Sequence, residues 1–399
     1  MARHVRKEAA FRIISVMIGL GAILIALEVG LRVLPTTSVA LRLPVDAAHP
    51  IARFPADMAW RSSVGWDFKS PVEGRTNNAG FVHAEPYSAH GPRPLVAIVG
   101  DSFVEAMTVR HQDSLQGRLT AAIGGRGRVY SFGMSGAPLS QYLAWADHAA
   151  RHYRPDLLVV PIIANDFDES LLAYKVAKGG HLYGGFHYYE QAPDGQLVLR
   201  LVPYTPSRMV AVLRASALAR YLVFHLKAHK LRLADLTAAL FGRDTAVAKV
   251  SPAEARLRRI FEPAFFESWP ERQELAQRAT LAFLDALPQR ARLAPAQIIL
   301  AVDGLRTAIL LPQLDAQAKA SFFGRMRTFF IVEARKRGYR VVDLDQAFRA
   351  HVAKTAQRVE FAHDYHWNAA GYGVAAREIT MTAPWQSLFG APRTTTGQR

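Results

Sequence analysis

The stretch VAIVGDSFVEAM, residues 96–107, decides how the chain folds. Val96 to Val99 form a short apolar run of the kind that becomes a strand buried on both faces, and Gly100 supplies a tight turn directly after it. Ser102 then stands where a helix begins. A strand that turns through glycine into a helix N-terminus is how α/β proteins expose a nucleophile at a sheet edge. The same residues also admit a structural reading. Ser102 and Glu105 have capping-box spacing, so the hydroxyl could satisfy an orphan backbone N–H. The rest of the chain has to separate the two.

Working outward, four more short aliphatic or β-branched runs end at turn residues. The five expected strands are Leu95–Val99, Arg128–Phe132, Leu157–Ile162, Ile298–Val302 and Arg340–Leu344. Segments of helical length, Phe103 to Ile123 and Leu139 to His152, separate the first three. Between the last two, Phe322, Phe323, Met326, Phe329 and Phe330 give Ala316–Lys336 an apolar stripe at roughly helical period. Alternating strands and helices predict a parallel sheet covered on both faces. Ligands in such sheets bind beyond the carboxyl ends of the strands, and Ser102 lies just past the first of them.

A long interruption, about 171–293, separates the third strand from the fourth. It opens with aromatic HLYGGFHYY and continues with basic, helical RMVAVLRASALARYLVFHLKAHKLRLADL. The basic part reads as a solvated helical subdomain, a lid or a helix lying on a membrane surface. Residues 36–90 show no clear helix or repeat, and APRTTTGQR at the end reads as a disordered tail.

Phe11 to Leu31 is almost continuously apolar and, as a helix, long enough to cross a hydrocarbon core of ~30 Å. Arg3, Arg6, Lys7 and Arg12 precede or open it, which puts the N-terminus in the cytoplasm and the remainder outside. Glu28 and Arg32, four apart near the far interface, are spaced to pair or to snorkel. A cleaved signal peptide is the rival, with Ser38-Val39-Ala40 as its site. The formal net charge of +16 over 399 residues favours anionic lipids or polyanionic polymers as partners. Nucleic acid, the other usual partner of such a charge, is discounted, because no zinc finger, RNP motif or basic–heptad pattern is present. The chain has no cysteine, which excludes disulfides and thiolate chemistry.

Three further segments join the opening one near expected strand ends: YSFGMSGAPLSQY with Gly133 and Gly136, PIIANDFDES with Asn165 and Asp166, and EFAHDYHWNAAGYG with Asp364 and His366. Ester acyl transfer needs a nucleophile, a base, an orienter for that base and oxyanion donors. Ser102, His366 and Asp364 fit the first three roles. The backbone N–H groups of Ser102 and Gly136 and the amide of Asn165 fit the last. Each residue alone has a structural explanation as a cap, a turn or a packed histidine; their joint appearance in this order is what points to chemistry.

The four segments resemble the four blocks of the SGNH (GDSL-type) esterases and acyltransferases: GDSF, GMSGAP, ANDF and HDYHWNAAG. The resemblance covers about residues 91–175 and 294–385. It implies a flavodoxin-like three-layer α/β/α fold with a five-stranded parallel sheet. It also implies Ser102 as nucleophile, Asp364 and His366 completing the triad, an oxyanion hole of Ser102, Gly136 and Asn165, and no metal or organic cofactor. Two positions depart from the pattern. Ile163 stands where a glycine is usual before the third-block asparagine, and the last block is Asp-x-His, not Asp-x-x-His. The shorter spacing followed by Trp367 and Asn368 is similar to relatives that O-acetylate exopolysaccharides, as are VGWDFKS and NNAGF upstream.

The expected organisation is therefore a cytoplasmic N-terminus and anchor (1–35) and an extension packing on the catalytic domain (36–90). Two catalytic parts (91–175 and 294–385) flank a basic, mainly helical insertion (176–293), and a tail (386–399) follows. The expected protein is an inner-membrane, periplasm-facing serine esterase acting on O-acyl, chiefly O-acetyl, esters of envelope or extracellular polysaccharide, beside the machinery that assembles that polymer. An O-acetyltransferase with the same triad, or an anchored polysaccharide-binding or assembly protein without turnover, is the alternative. Ser135 lacks the final glycine of G-x-S-x-G, and the pairs His148/His152 and His225/His229 lack the glutamate of a zincin, so these read as ordinary turn, surface or core residues.

Overall fold

The computed structural model describes residues 2–38, 42–177, 184–227, 271–362 and 366–390. They divide into two units. The first comprises Met1–Leu41, Ala59–Glu73 and Pro206–Thr245, and the second Arg42–Met58, Gly74–Thr205 and Ala246–Arg399.

In the first unit a single helix runs from Ala2 to Val33. Its segment Ala10–Val33 has a mean hydropathy of 2.3 and is long and apolar enough to cross a membrane; its apolar side chains are largely exposed, with Leu31 the buried exception. Glu28 and Arg32 do pair, at 2.8 Å, and they do more than that. Arg32 donates to the carbonyl of Ala215, the last residue of the helix Arg208–Ala215. Glu28 accepts from the Ser216 hydroxyl and from the Ala217 and Leu218 N–H groups, which open the next helix, Ala217–Arg220. A cation on terminal carbonyls and an anion on initial N–H groups each match the local helix dipole. Strands β1 (Ala59–Val64) and β2 (Lys69–Arg75) form a hairpin. Its turn is tied to a π-helical turn, Tyr221–His225, by Tyr221 on the Trp66 carbonyl and His225 Nδ1 on the Gly65 carbonyl. His225 is thus a buried packing residue. His229 lies outside the described residues.

The second unit is built on strands β3 (Leu95–Gly100), β4 (Arg128–Gly133), β5 (Leu157–Ile162), β8 (Ile298–Val302) and β9 (Arg340–Asp343), with a separate hairpin of β6 (His187–Gln191) and β7 (Leu197–Leu201). The five-stranded sheet has the order β4-β3-β5-β8-β9, all parallel. All five expected strands are present, within one residue at either end. β3, β5 and β8 are buried along their whole length, as a sheet covered on both faces demands. One face carries the helices Leu115–Ile123, Leu344–Thr355, Ala369–Thr380 and Ala383–Phe389, whose Leu119, Phe348, Tyr372, Ile379 and Trp385 join the core. The other carries Leu139–His152, Arg272–Ala291 and Phe322–Lys336, which bury Trp145, Phe283 and Phe330. This is the three-layer α/β/α arrangement with the flavodoxin-like strand order.

The structure departs from the sequence reading in four places. The segment from Phe103 to Ile123 is not one helix: Ala106, at φ +54, ends a single turn (Ser102–Glu105), and Ser114 caps a new helix at Leu115. The stretch 176–293 is not simply a helical insertion. His187–Gln191 and Leu197–Leu201 form β6 and β7 around a Pro193-Asp194-Gly195 turn, a strong turn signal, and the helix Arg272–Ala291 is a layer of the sheet domain. The extension 36–90 is divided between the units. The part that packs on the sheet domain includes Ala52, whose carbonyl takes the Trp145 indole N–H, and Tyr87, stacked on Tyr130 at 3.9 Å. Finally, the tail does not start at 386, because Phe389 is buried against Trp385. Residues 391–399 lie outside the described part.

Candidate active site

In a sheet of this order the chain leaves β3 toward β4 on one side and leaves β5 toward β8 on the other, which opens a crevice beyond the carboxyl ends of β3 and β5. Ser102 follows β3 and Asn165 follows β5. The approach to Ser102 is sterically fixed. Gly100 and Gly133 are paired neighbours on β3 and β4, and both lie under the Val104 side chain. A Cβ on Gly100 would come within 2.4 Å of Val104 Cγ2, and one on Gly133 within 2.7 Å of Val104 Cβ. Only glycine lets the Ser102 turn sit this close to the sheet.

The cap of that turn is Asp101, not Ser102. The Asp101 carboxylate accepts from the Phe103 N–H at 2.9 Å, while Ser102 is the first helical residue. Glu105 serves no capping box either, since its carboxylate accepts from the Ser135 hydroxyl. Among the described residues no side-chain hydrogen bond engages the Ser102 hydroxyl.

Of the other sequence-predicted residues, Gly136, Asn165 and His366 lie among the described ones, after β4, after β5 and beside Phe103. Gly136 follows β4 with φ +81, a left-handed conformation that favours glycine. Its carbonyl lies 3.5 Å from Lys175 Nζ, and Lys175 forms a 2.5 Å ion pair with Glu169. The same Glu169 oxygen accepts from Asn165 Nδ2 at 3.5 Å, and the Asn165 amide also reaches Asp101. One hydrogen-bonded chain thus joins the Gly136 loop, Asn165 and the residue before Ser102. The His366 ring lies 4.9 Å from the Phe103 ring, centroid to centroid. Asp364 lies outside the described residues. Ser102, Gly136, Asn165 and His366 are each half-buried, whereas their neighbours Asp101, Phe103, Asp166 and Trp367 are buried.

His366 is held by a frame that sequence reasoning missed. The chain doubles back on itself: Glu360 bridges to Trp367, and the Phe361 N–H donates to the His366 carbonyl. Asn368 Nδ2 reaches the Arg358 and Glu360 carbonyls. Beneath this loop Arg306 is fully buried between Asp303 (2.9 Å) and Glu360 (2.6 Å). Asp303 also accepts from Trp367 Nε1 at 3.0 Å. Trp367 packs edge-on against Phe103 at 5.1 Å, and the Tyr372 hydroxyl donates to the Phe103 carbonyl. The segment after His366 is therefore fastened to the residue after Ser102. Asp303 closes β8 at its carboxyl end, which was the one available signal.

The site is rich in buried acid. Burial pushes the Asp101 carboxyl up to about 6, against the stabilising N–H of Phe103 and the nearby His366. Burial also raises Asp166 well above the usual carboxylate range, with Asp101 adding repulsion. Tyr142 and the Ile163 N–H donate to that carboxyl, each at 2.7 Å. Asp168 pairs with Arg272. Lys175 and Arg272 offset the charges of Glu169 and Asp168, and backbone N–H groups satisfy Asp101 and Asp166.

No protein-family model matches this chain, and no curated protein matches it. Among solved structures it is similar to LAE5, an alpha/beta hydrolase from the metagenome of Lake Arreo, Spain: 13% identity over 76% of this chain and 99% of that one, TM-score 0.39. It is similar to TesA at 10% identity over 74% and 99%, TM-score 0.37. A variant of Axe2, an acetyl xylan esterase from Geobacillus stearothermophilus, matches at 14% identity over 73% and 95%, TM-score 0.36. The fold itself is given by the strand order.

Proposed function

We propose that the protein is a membrane-anchored serine esterase or acyltransferase in which Ser102 is the nucleophile and His366 the base. One observation carries this reading. Ser102 stands at the carboxyl end of β3 with its capping role taken over by Asp101, next to Phe103, on which His366 is packed. The residue is thereby released from structural duty at the one place in the sheet where a reacting group belongs.

In the proposed reaction Ser102 Oγ attacks the ester carbonyl while His366 accepts its proton. Asp364 orients the imidazole through the other ring nitrogen. The Ser102 and Gly136 N–H groups and the Asn165 amide receive the oxyanion. The alkoxide leaving group departs with the proton held by His366. Water, or a sugar hydroxyl, then adds to the acyl-enzyme as His366 takes its proton, and Ser102 is restored as the new acid or ester leaves. Asp101 supports the imidazolium state: its carboxylate and a charged His366 attract one another.

The substrate class we infer is an O-acetyl ester of an envelope or extracellular polysaccharide. The support is the Asp-x-His-Trp-Asn block and a net charge of +16, which draws the chain to polyanions and anionic surfaces. Retention of the N-terminal helix is supported by Glu28 and Arg32. Cleavage after Ala40 would strip the caps from the helices that end at Ala215 and begin at Ala217. The arginines and lysine before the helix then favour a cytoplasmic N-terminus and a periplasmic sheet domain.

The test is turnover of a small acetyl ester by the full chain in detergent, with and without an oligosaccharide acceptor. Release of acetate that needs both Ser102 and His366 supports the reading, and transfer to the acceptor selects the acyltransferase. No turnover of any acetyl ester by folded protein returns the chain to a binding role.

A further inference from the structure

The helices clamped by Glu28 and Arg32 carry apolar groups turned outward. On Arg208–Ala215, Met209 is 73% exposed and Val212 60%; with Ala215 they recur every three residues along one face. Val210 and Leu213, on the other side, are half-buried. Leu222, Phe224 and Leu226 continue the exposed apolar set beyond Arg220, and Trp66 is 70% exposed on the hairpin turn tied to Tyr221. Arg208, Arg214 and Lys227 are exposed among them. The clamp fixes the level of this patch. Glu28 lies five residues before the end of the apolar helix at Val33, or about 7–8 Å along its axis. That is the depth at which hydrocarbon gives way to headgroups, where tryptophan and snorkelling arginine concentrate.

We propose that residues 208–226 form an interfacial collar on the leaflet where the apolar helix emerges. Met209, Val212 and Trp66 enter the acyl–headgroup boundary, and Arg208 and the adjacent Lys227 engage anionic headgroups. The proposal rests on the anchor reading above. Its occupant is a lipid surface because the patch is continuous with a membrane-length helix through the Glu28–Arg32 clamp, and because its charge is positive. The collar would hold the first unit at the membrane surface on two elements instead of one.

The chain has no cysteine, so single cysteines can be labelled cleanly with a polarity-sensitive fluorophore in the full-length protein reconstituted in vesicles. Ile18→Cys reports the span, Met209→Cys and Val212→Cys the collar, and Asp194→Cys, in the exposed β6–β7 turn, bulk water. The expected result is blue-shifted emission at Met209→Cys and Val212→Cys relative to Asp194→Cys, larger in vesicles with phosphatidylglycerol than in phosphatidylcholine alone. Water-like emission at both collar positions, with Ile18→Cys still in hydrocarbon, overturns the collar and leaves the anchor standing. Water-like emission at Ile18→Cys overturns the anchor, and the collar with it. A collar shift that is indifferent to phosphatidylglycerol removes the headgroup contacts from the proposal.

Discussion

Ser102 and His366 are brought to either side of Phe103 by different means. Ser102 is delivered by the sheet: β3 is buried throughout, flanked by parallel partners on both sides, and its glycine and that of β4 lie under Val104. His366 is delivered by side chains. Its loop is pinned by an Asp303–Arg306–Glu360 ion network, a Trp367 indole and an Asn368 amide. Backbone pairing of this kind is cooperative with the whole domain. A polar frame instead depends on every member, because a buried charge left without its partner is costly. Substitutions on the two sides should therefore fail in different ways.

The largest effects belong to the sheet side. Ser102→Ala should lower acyl transfer by about 10⁴-fold or more with almost no change in melting temperature, since Asp101 and not Ser102 caps the turn. A melting temperature that fell along with activity would make Ser102 structural after all. Asn165→Ala should lower kcat by roughly 10²–10³, the usual worth of one oxyanion donor, as measured by steady-state kinetics on the folded variant.

On the other side Arg306→Ala should cost about 3–5 kcal/mol of stability, because buried Asp303 loses its ion pair and buried Glu360 its 2.6 Å partner. Chemical denaturation measures it. A loss near zero would show that the frame does not hold the loop. Trp367→Phe keeps the ring packing and removes only the bond to Asp303. It should cost about 1–3 kcal/mol and lower kcat more than it raises KM.

Asp101→Asn gives the smallest effect and bears on both sides at once. The amide oxygen can still cap Phe103. The folded carboxyl holds its proton up to about 6, whereas an unfolded aspartate releases it near ~3.9. Between those values the native state binds more protons, so this group's contribution to stability falls as pH rises through the window. The variant should flatten that slope. It should also move the acidic limb of kcat/KM to lower pH, because an ionised Asp101 no longer favours the imidazolium. A limb that stays in place would separate Asp101 from His366.

The same contrast explains what was legible in the sequence. Strand-borne features were read directly, because a buried parallel strand has to be a short apolar run and its carboxyl end marks a turn or a helix start; β3, β5 and β8 obey throughout, and the edge strands β4 and β9 in part. The β6–β7 hairpin carried its signal in Pro193-Asp194-Gly195 but was overshadowed by the basic segment after it. The frame around His366 was not legible. Asp303, Arg306 and Glu360 are up to 57 residues apart in sequence, and nothing local marks an arginine as buried. The capping role of Asp101 was hidden for a different reason: an aspartate and a serine side by side are equally good caps, and only the backbone decides between them. Glu28 and Arg32 were legible as a pair, but not as a clamp on helices nearly 190 residues away.

The most direct test of the account is covalent. Full-length protein is treated with a fluorophosphonate, digested, and its peptides mapped by mass spectrometry. The account predicts a single stoichiometric adduct on Ser102, lost in Ser102→Ala and slowed in His366→Ala, with both variants melting as the parent does. An adduct elsewhere, or an unlabelled Ser102 in folded protein that still turns over esters, would contradict it.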